Sequence, residues 1–279
     1  MKRRRLLGKT LEILLNVMML LFSFACIFPL IWMTYSSLKT QKDFSLNIIS
    51  LPLAPQFNNY IEAIRTGKMH IFFLNSMFIG IISVVFIIAI GFITAYCLSR
   101  FNFRGRNLIY VLFLFGMLVP VHSLLVPVFI QFKWLGLLNK RLTLILPYVA
   151  FGLPMAIFLL ESFIKTIPIE IEEAACIDGS PIAVTLMKII MPICRPAMST
   201  VLILTFLHVW NEFPFALILI KSDYLKTLPV GLTNFSGQYS VDYPRLMAAL
   251  VIATLPVIIV YLLFSKKIIQ GMTAGAVKG

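Results

Sequence analysis

Long apolar runs alternate along this chain with short polar segments punctuated by Gly and Pro. After a basic start (Lys2, Arg3, Arg4, Arg5 and Lys9), the first apolar run covers residues 10–37. Later runs cover about 71–98, 108–129, 142–163, 197–220 and 246–264. Each approaches or exceeds the roughly 20 residues with which an α-helix crosses a bilayer. The pattern predicts an all-α, polytopic membrane protein with six transmembrane helices. Pro120, Pro127, Pro147 and Pro154 fall within the third and fourth runs. Such prolines are tolerated in membranes when neighbours satisfy the freed carbonyls. The first run is longer than the apolar region of a signal peptide and has no small-x-small cleavage site, so it reads as an uncleaved span.

The polar segments order the topology. Residues 39–70 read as an external loop with a short helix near 58–65, and Arg100, Arg104 and Arg106 make a tight basic turn on the inner side. Residues 131–141 and 221–244 are external, and Lys266 and Lys267 close the last span inside. Lys133, Lys140 and Arg141 run against the positive-inside trend, which therefore supports this orientation only mildly. The result is an N-terminal segment, first span and external loop (1–70), a core of spans two to six (71–265), and a C-terminal tail (266–279). Both termini and the long polar stretch at about 165–196 then lie in the cytoplasm.

That stretch predicts two short helices outside the spans. Pro168 precedes a helix whose first turn carries Glu170, Glu172 and Glu173 at its positive end. Gly179 is a natural stop, because it adopts left-handed backbone without a Cβ clash. Ser180 caps a second helix beginning at Pro181 and running to about Met191, just before Pro192. Ile182, Leu186 and Ile189 recur on it at helical spacing as a packing face. Ala174, Ala175 and Gly179 permit close approach of a partner.

Composition narrows the function. The chain is 60% hydrophobic and only 13% charged, which excludes a soluble enzyme. Its net charge of +13 comes from scattered clusters between apolar runs, with no basic stripe for nucleic acid. Cys26, Cys97, Cys176 and Cys194 have no metal-ligand spacing, and no cofactor motif is present. Gly8-Lys9-Thr10 lacks the rest of a phosphate-binding loop, so ATP hydrolysis belongs to another protein.

Glu173-Ala174-Ala175, Gly179, Ile189 and Met191-Pro192 resemble the EAA loop of ATP-binding-cassette (ABC) importer permeases, with Met191 standing where Leu is usual. Asn75-Ser76, Ala95-Tyr96, Arg100-Phe101, Thr143 to Tyr148, Ile177-Asp178-Gly179, Trp210-Asn211-Glu212-Phe213 and Thr227 to Leu232 are similar to the carbohydrate-uptake branch of that family. The tail from Gly271 to Gly279 resembles that of the smaller permease of maltose-type importers. This resemblance implies a type I importer permease with a cytoplasmic coupling helix, forming the path for a mono- or oligosaccharide. It further implies a second, non-identical permease, two ATPase subunits, and an external sugar-binding protein. Glu172, Glu173 and Asp178 would be polar anchors for the ATPase, with Glu173 meeting a basic residue of its groove. The tail would reach the interface between the ATPases.

Substrate contacts are sought in the fifth span. Thr205, His208 and Glu212 fall on one helical face, with Trp210 and Asn211 adjacent. Ionisable groups in a membrane face a cavity or a partner, so these residues either line the sugar path or join spans or subunits. His70 and His122 read as structural. An importer permease for a non-sugar solute and an ion-coupled secondary transporter are the competing functions. The second would usually show acidic residues in several deep spans, which are nearly absent here. An intramembrane enzyme would need a nucleophile–base pair or a metal set, and neither stands out.

Overall fold

The computed structural model describes the backbone of residues 2–235 and 241–276, and side chains at 9, 12–235 and 241–264. In chain order the helices begin with α1 (Lys2–Ser36), α2 (Gln41–Leu46), α3 (Asn58–Arg65), α4 (Met69–Arg100) and α5 (Arg106–Leu118). They continue with α6 (Leu125–Trp134), α7 (Ile145–Ile164), α8 (Glu170–Ile177), α9 (Ile182–Thr185) and α10 (Met191–Ile193). The last are α11 (Arg195–Trp210), α12 (Pro214–Leu219), α13 (Leu228–Leu232) and α14 (Tyr243–Ala276). No strand occurs among the described residues. The predicted tail is helical in its backbone as far as Ala276; residues 277–279, like 236–240 of the predicted last external loop, lie outside the described residues.

Four helices among the described residues are long and apolar enough to cross a membrane, or up to six elements if each bent pair is one span. The third predicted span is one of the bent pairs: its two halves meet at 92°. Val119, held extended (ψ 120°) before Pro120, breaks the helix, and a 3₁₀ turn at Val121–Leu124 restarts it. The fifth predicted span, 197–220, also divides, because α11 stops at Trp210 and Pro214 opens α12. Apolar composition carries no record of these breaks.

The chain forms two compact units. The first joins residues 1–69 with 232–255. Lys39, fully buried there, organises the loop after α1. Its ammonium donates to the carbonyls of Asn47 (3.0 Å) and Ile48 (2.9 Å) and lies over the rings of Tyr35 and Phe44. Burial holds its pKa below the usual lysine value, and the Asp43 carboxylate offsets this only in part. Thr40 caps α2, Phe44 stacks on Tyr243 at 5.1 Å, and Arg245 pairs with Glu62.

The second unit joins 70–231 with 256–279 and has two apolar cores. One packs Phe92, Ala95 and Tyr96 of α4 against Leu160 and Ile164 of α7 and Val201 of α11. The other packs Leu144, Ile145 and Tyr148 against Phe132 and the α12 residues Phe215 and Leu219. Small residues bring these helices together: Gly152 of α7 faces Ile87 of α4, and Gly116 of α5 faces Pro154 of α7. Gly231 lies against the fully buried ring of Phe72, leaving no room for a Cβ. Gly231→Ala is therefore expected to destabilise the second unit by about 1–3 kcal/mol. A lowered thermal midpoint in detergent, partly restored by adding Phe72→Leu, is the outcome to look for.

Candidate functional site

The first part of the site is the turn from Pro168 to Cys194. Backbone amides of Glu172 and Glu173 close α8 onto the carbonyl of Ile169 at 2.9 and 3.1 Å, and three glutamates occupy its first turn. The helix stops through paired terminal bonds. The amide of Gly179 donates to Cys176 (3.0 Å) and that of Ser180 to Ala175 (2.9 Å), with Gly179 left-handed at φ 76°. The second helix starts at Ile182, one residue later than expected. Extended Pro181 is its N-cap, and Ser180 makes no capping bond; its hydroxyl instead accepts from Thr185. Five π-helical residues, Leu186–Ile190, follow before α10, and the axis then turns by 75° into α11.

This geometry sorts the predicted coupling residues. Glu173, Ala174, Asp178, Gly179 and Ile182 are exposed, with Ile177 at 87%. Ala175 is buried, and Pro192 is half-buried where the π-turn passes into α10. Leu186 and Ile189 pack inward on the first core, so they do not share an outward face with Ile182. Ile182, in the first turn, is exposed, and the π-turn that follows alters the spacing only from Leu186 onward.

Glu172 is also turned inward. Its carboxylate accepts from Arg100 Nε at 2.6 Å and from the Tyr96 hydroxyl at 2.7 Å. The same guanidinium donates to the Ile167 carbonyl at 2.8 Å. Both side chains of the ion pair are about one-tenth exposed. Tyr96 and Arg100 stand one turn apart on α4 and thus face the same way. A cavity of about 300 Å³ lies beside them, lined also by Glu173, Cys176 and Ser180.

The second part lies in the spans. A cavity of about 220 Å³ is lined by Ile87 of α4, by Tyr148, Phe151 and Gly152 of α7, and by Thr205 and His208 of α11. Of the predicted path residues, Thr205 and His208 meet here and Trp210, Asn211 and Glu212 do not. Thr205 is buried, and its hydroxyl donates to Val201 at 2.6 Å. Trp210 is buried between Phe206 and Phe73, and the Asn211 amide donates to the Leu207 carbonyl. Glu212 caps α12 by accepting from the amides of Phe215 (2.6 Å) and Ala216 (3.1 Å). It also accepts from the Tyr148 hydroxyl. Sequence reading missed Tyr148 and Arg100 as site residues. Both stand in short motifs, but their partners are distant in the chain.

Residues 87–273 match the family described as "Binding-protein-dependent transport system inner membrane component". The chain is 37% identical over 254 residues to the sulfoquinovosyl glycerol transport system permease protein of Agrobacterium fabrum, covering 91% of this chain and 89% of that one. It is 35% identical over 271 residues to the trehalose/maltose transport system permease protein of Thermococcus litoralis, covering 96% and 97%. A chain from the crystal structure of a bacterial ABC transporter involved in importing the acidic polysaccharide alginate superposes with a TM-score of 0.83 at 23% identity, over 92% of this chain and 96% of that one. With its apolar helices, its helical turn between α7 and α11, and relatives matched almost end to end, this multi-pass membrane protein belongs to the inner membrane component family of binding-protein-dependent transport systems.

Proposed function

We propose that the chain is one translocation subunit of an ABC importer for a sugar, coupled to separate ATPases through the turn formed by α8, α9 and α10. The observation that carries this reading is the exposed face of that turn. Ile177, Ile182 and Met187 are more than half exposed beside Glu173 and Asp178, in a protein of this transport family. Apolar side chains rimmed by carboxylates suit a groove on another protein. The proposed assembly adds a second, non-identical permease, two ATPase subunits, and an extracytoplasmic sugar-binding protein. The chain would lie in the cell membrane with both termini cytoplasmic. ATP-driven closure of the ATPases would displace the docked turn and switch the path between inward- and outward-facing states.

Sugar as the cargo is supported by the relatives' names and by the span cavity. Aromatic faces at Tyr148 and Phe151, with the polar groups of Thr205 and His208, match what a sugar ring needs. At about 220 Å³ the cavity is smaller than the ~300 Å³ from which complete ligand pockets begin, so the other subunit would supply the remaining wall. Glu212 would act through Tyr148, fixing its hydroxyl.

Deletion of the gene should abolish high-affinity uptake of one or a few members of a panel of labelled sugars, with transport restored by the intact chain. Uptake unchanged across the panel would remove the sugar assignment. For orientation, exposed Cys176 is expected to react with a membrane-impermeant maleimide in inside-out vesicles and not in intact cells, in a Cys26→Ser/Cys97→Ser background. Labelling in intact cells would reverse the topology and end the ATPase-docking reading. Tyr148→Phe removes a hydroxyl that lines the cavity and can accept from the sugar, a contact worth about 1 kcal/mol, which predicts a several-fold rise in the KM for uptake. An unchanged KM would take Tyr148 off the path.

A further inference from the structure

We propose that Arg100, Glu172 and Tyr96 are positioning residues that fasten α8 to α4, so that one displacement of the turn drives two of the walls of the span cavity, α4 and α7, together. The inference rests on the importer reading and assigns a task that none of its parts gives to α4. Covalently, α8 is joined to α7 through residues 165–169. The side chains add a second attachment. Arg100 Nε and the Tyr96 hydroxyl hold both carboxylate oxygens of Glu172, at 2.6 and 2.7 Å. The guanidinium also holds the Ile167 carbonyl at 2.8 Å, so it grips the linker ahead of α8 as well as the helix itself.

The two attachments lead to two adjoining walls of one cavity. Through the linker, α8 moves α7, which contributes Tyr148, Phe151 and Gly152 to the wall. Through Arg100 and Tyr96 it moves α4, which contributes Ile87 about 20 Å farther along the helix. Ile87 is fully buried against Gly152 and leaves no space for a Cβ there, so the two helices cannot slide independently without repacking. Charge adds stiffness. An ion pair about nine-tenths buried resists separation, because opening it strands one charge in apolar surroundings. A mobile surface pair would give way under load; this one transmits it.

The test uses the assembled transporter in proteoliposomes, with its ATPases and binding protein, and reads sugar moved per ATP hydrolysed. Glu172→Gln and Arg100→Gln are expected to assemble and hydrolyse ATP while the ratio falls on the order of fivefold or more. Tyr96→Phe, which keeps the ring packed, should give a smaller fall in the same direction. The reversed pair Arg100→Glu/Glu172→Arg should recover part of the loss. A ratio equal to wild type in Tyr96→Phe and in either glutamine variant overturns the proposal. So does failed assembly of both glutamine variants combined with an unchanged ratio in Tyr96→Phe, since that outcome assigns a purely structural role. If the wild-type complex moves no sugar under ATP, the importer reading fails by itself. The attachment is then judged by amide exchange in the permease chain, where unchanged protection of residues 170–177 in Arg100→Gln overturns it and faster exchange supports it.

Discussion

A backbone amide released inside apolar surroundings must find an acceptor, and this requirement decides which polar side chains the spans contain. Several turns that follow α11 are closed by specific side-chain groups. Where α11 ends and α12 begins, Glu212 accepts from Phe215 and Ala216. Ahead of the 3₁₀ turn at Asp223, the side-chain Oδ1 of Asn139 accepts from the amides of Lys221 at 3.0 Å and Ser222 at 2.8 Å. At the start of α13 the Ser76 hydroxyl accepts from Leu228 at 2.7 Å. The neighbouring Asn75 amide donates to the carbonyls of Tyr224 and Lys226. These groups meet backbone amides and carbonyls that the ends of the short helices leave unpaired.

The same requirement explains how stiffness is distributed. α4 runs for 32 residues with no proline, and α7 for 20 with one backbone bond removed at Pro154, so both are continuous helices able to carry displacement. The turn between α7 and α11 is built from short pieces, and each piece ends on named bonds: the Gly179 and Ser180 amides for α8, the Pro181 carbonyl for α9. A stiff pair of helices and a jointed turn give a structure that bends at defined places. The buried Arg100–Glu172 pair sits where the stiff α4 meets the jointed segment.

Sequence reading recovered what depends on neighbours in the chain. The acidic first turn of α8, the left-handed stop at Gly179 and the long apolar helices are local matters of charge, chirality and hydropathy. It failed where a long-range partner or a break decides. Glu172 read as an outward anchor because its helix is polar, yet its partner Arg100 lies 72 residues earlier. Leu186 and Ile189 read as one face with Ile182, yet they pack on the first core while Ile182, in the helix's first turn, is exposed. For Glu212 the sequence left two readings open, a path residue or a contact between spans, and its bonds to two freed amides and to a tyrosine 64 residues earlier are of the second kind.

That last case bears on recognition within the cavity. Thr205 spends its hydroxyl proton on the Val201 carbonyl, and Tyr148 spends its own on Glu212. Both hydroxyls can then only accept from a ligand, each through remaining lone pairs. The imidazole of His208 makes no hydrogen bond to the described residues and opens to the cavity and beyond it. It is therefore the lining side chain best able to donate. Sugar hydroxyls both donate and accept, so two fixed acceptors and one donor orient a ring without saturating it. Any further hydroxyls of a bound sugar would have to be met by groups from outside this cavity lining.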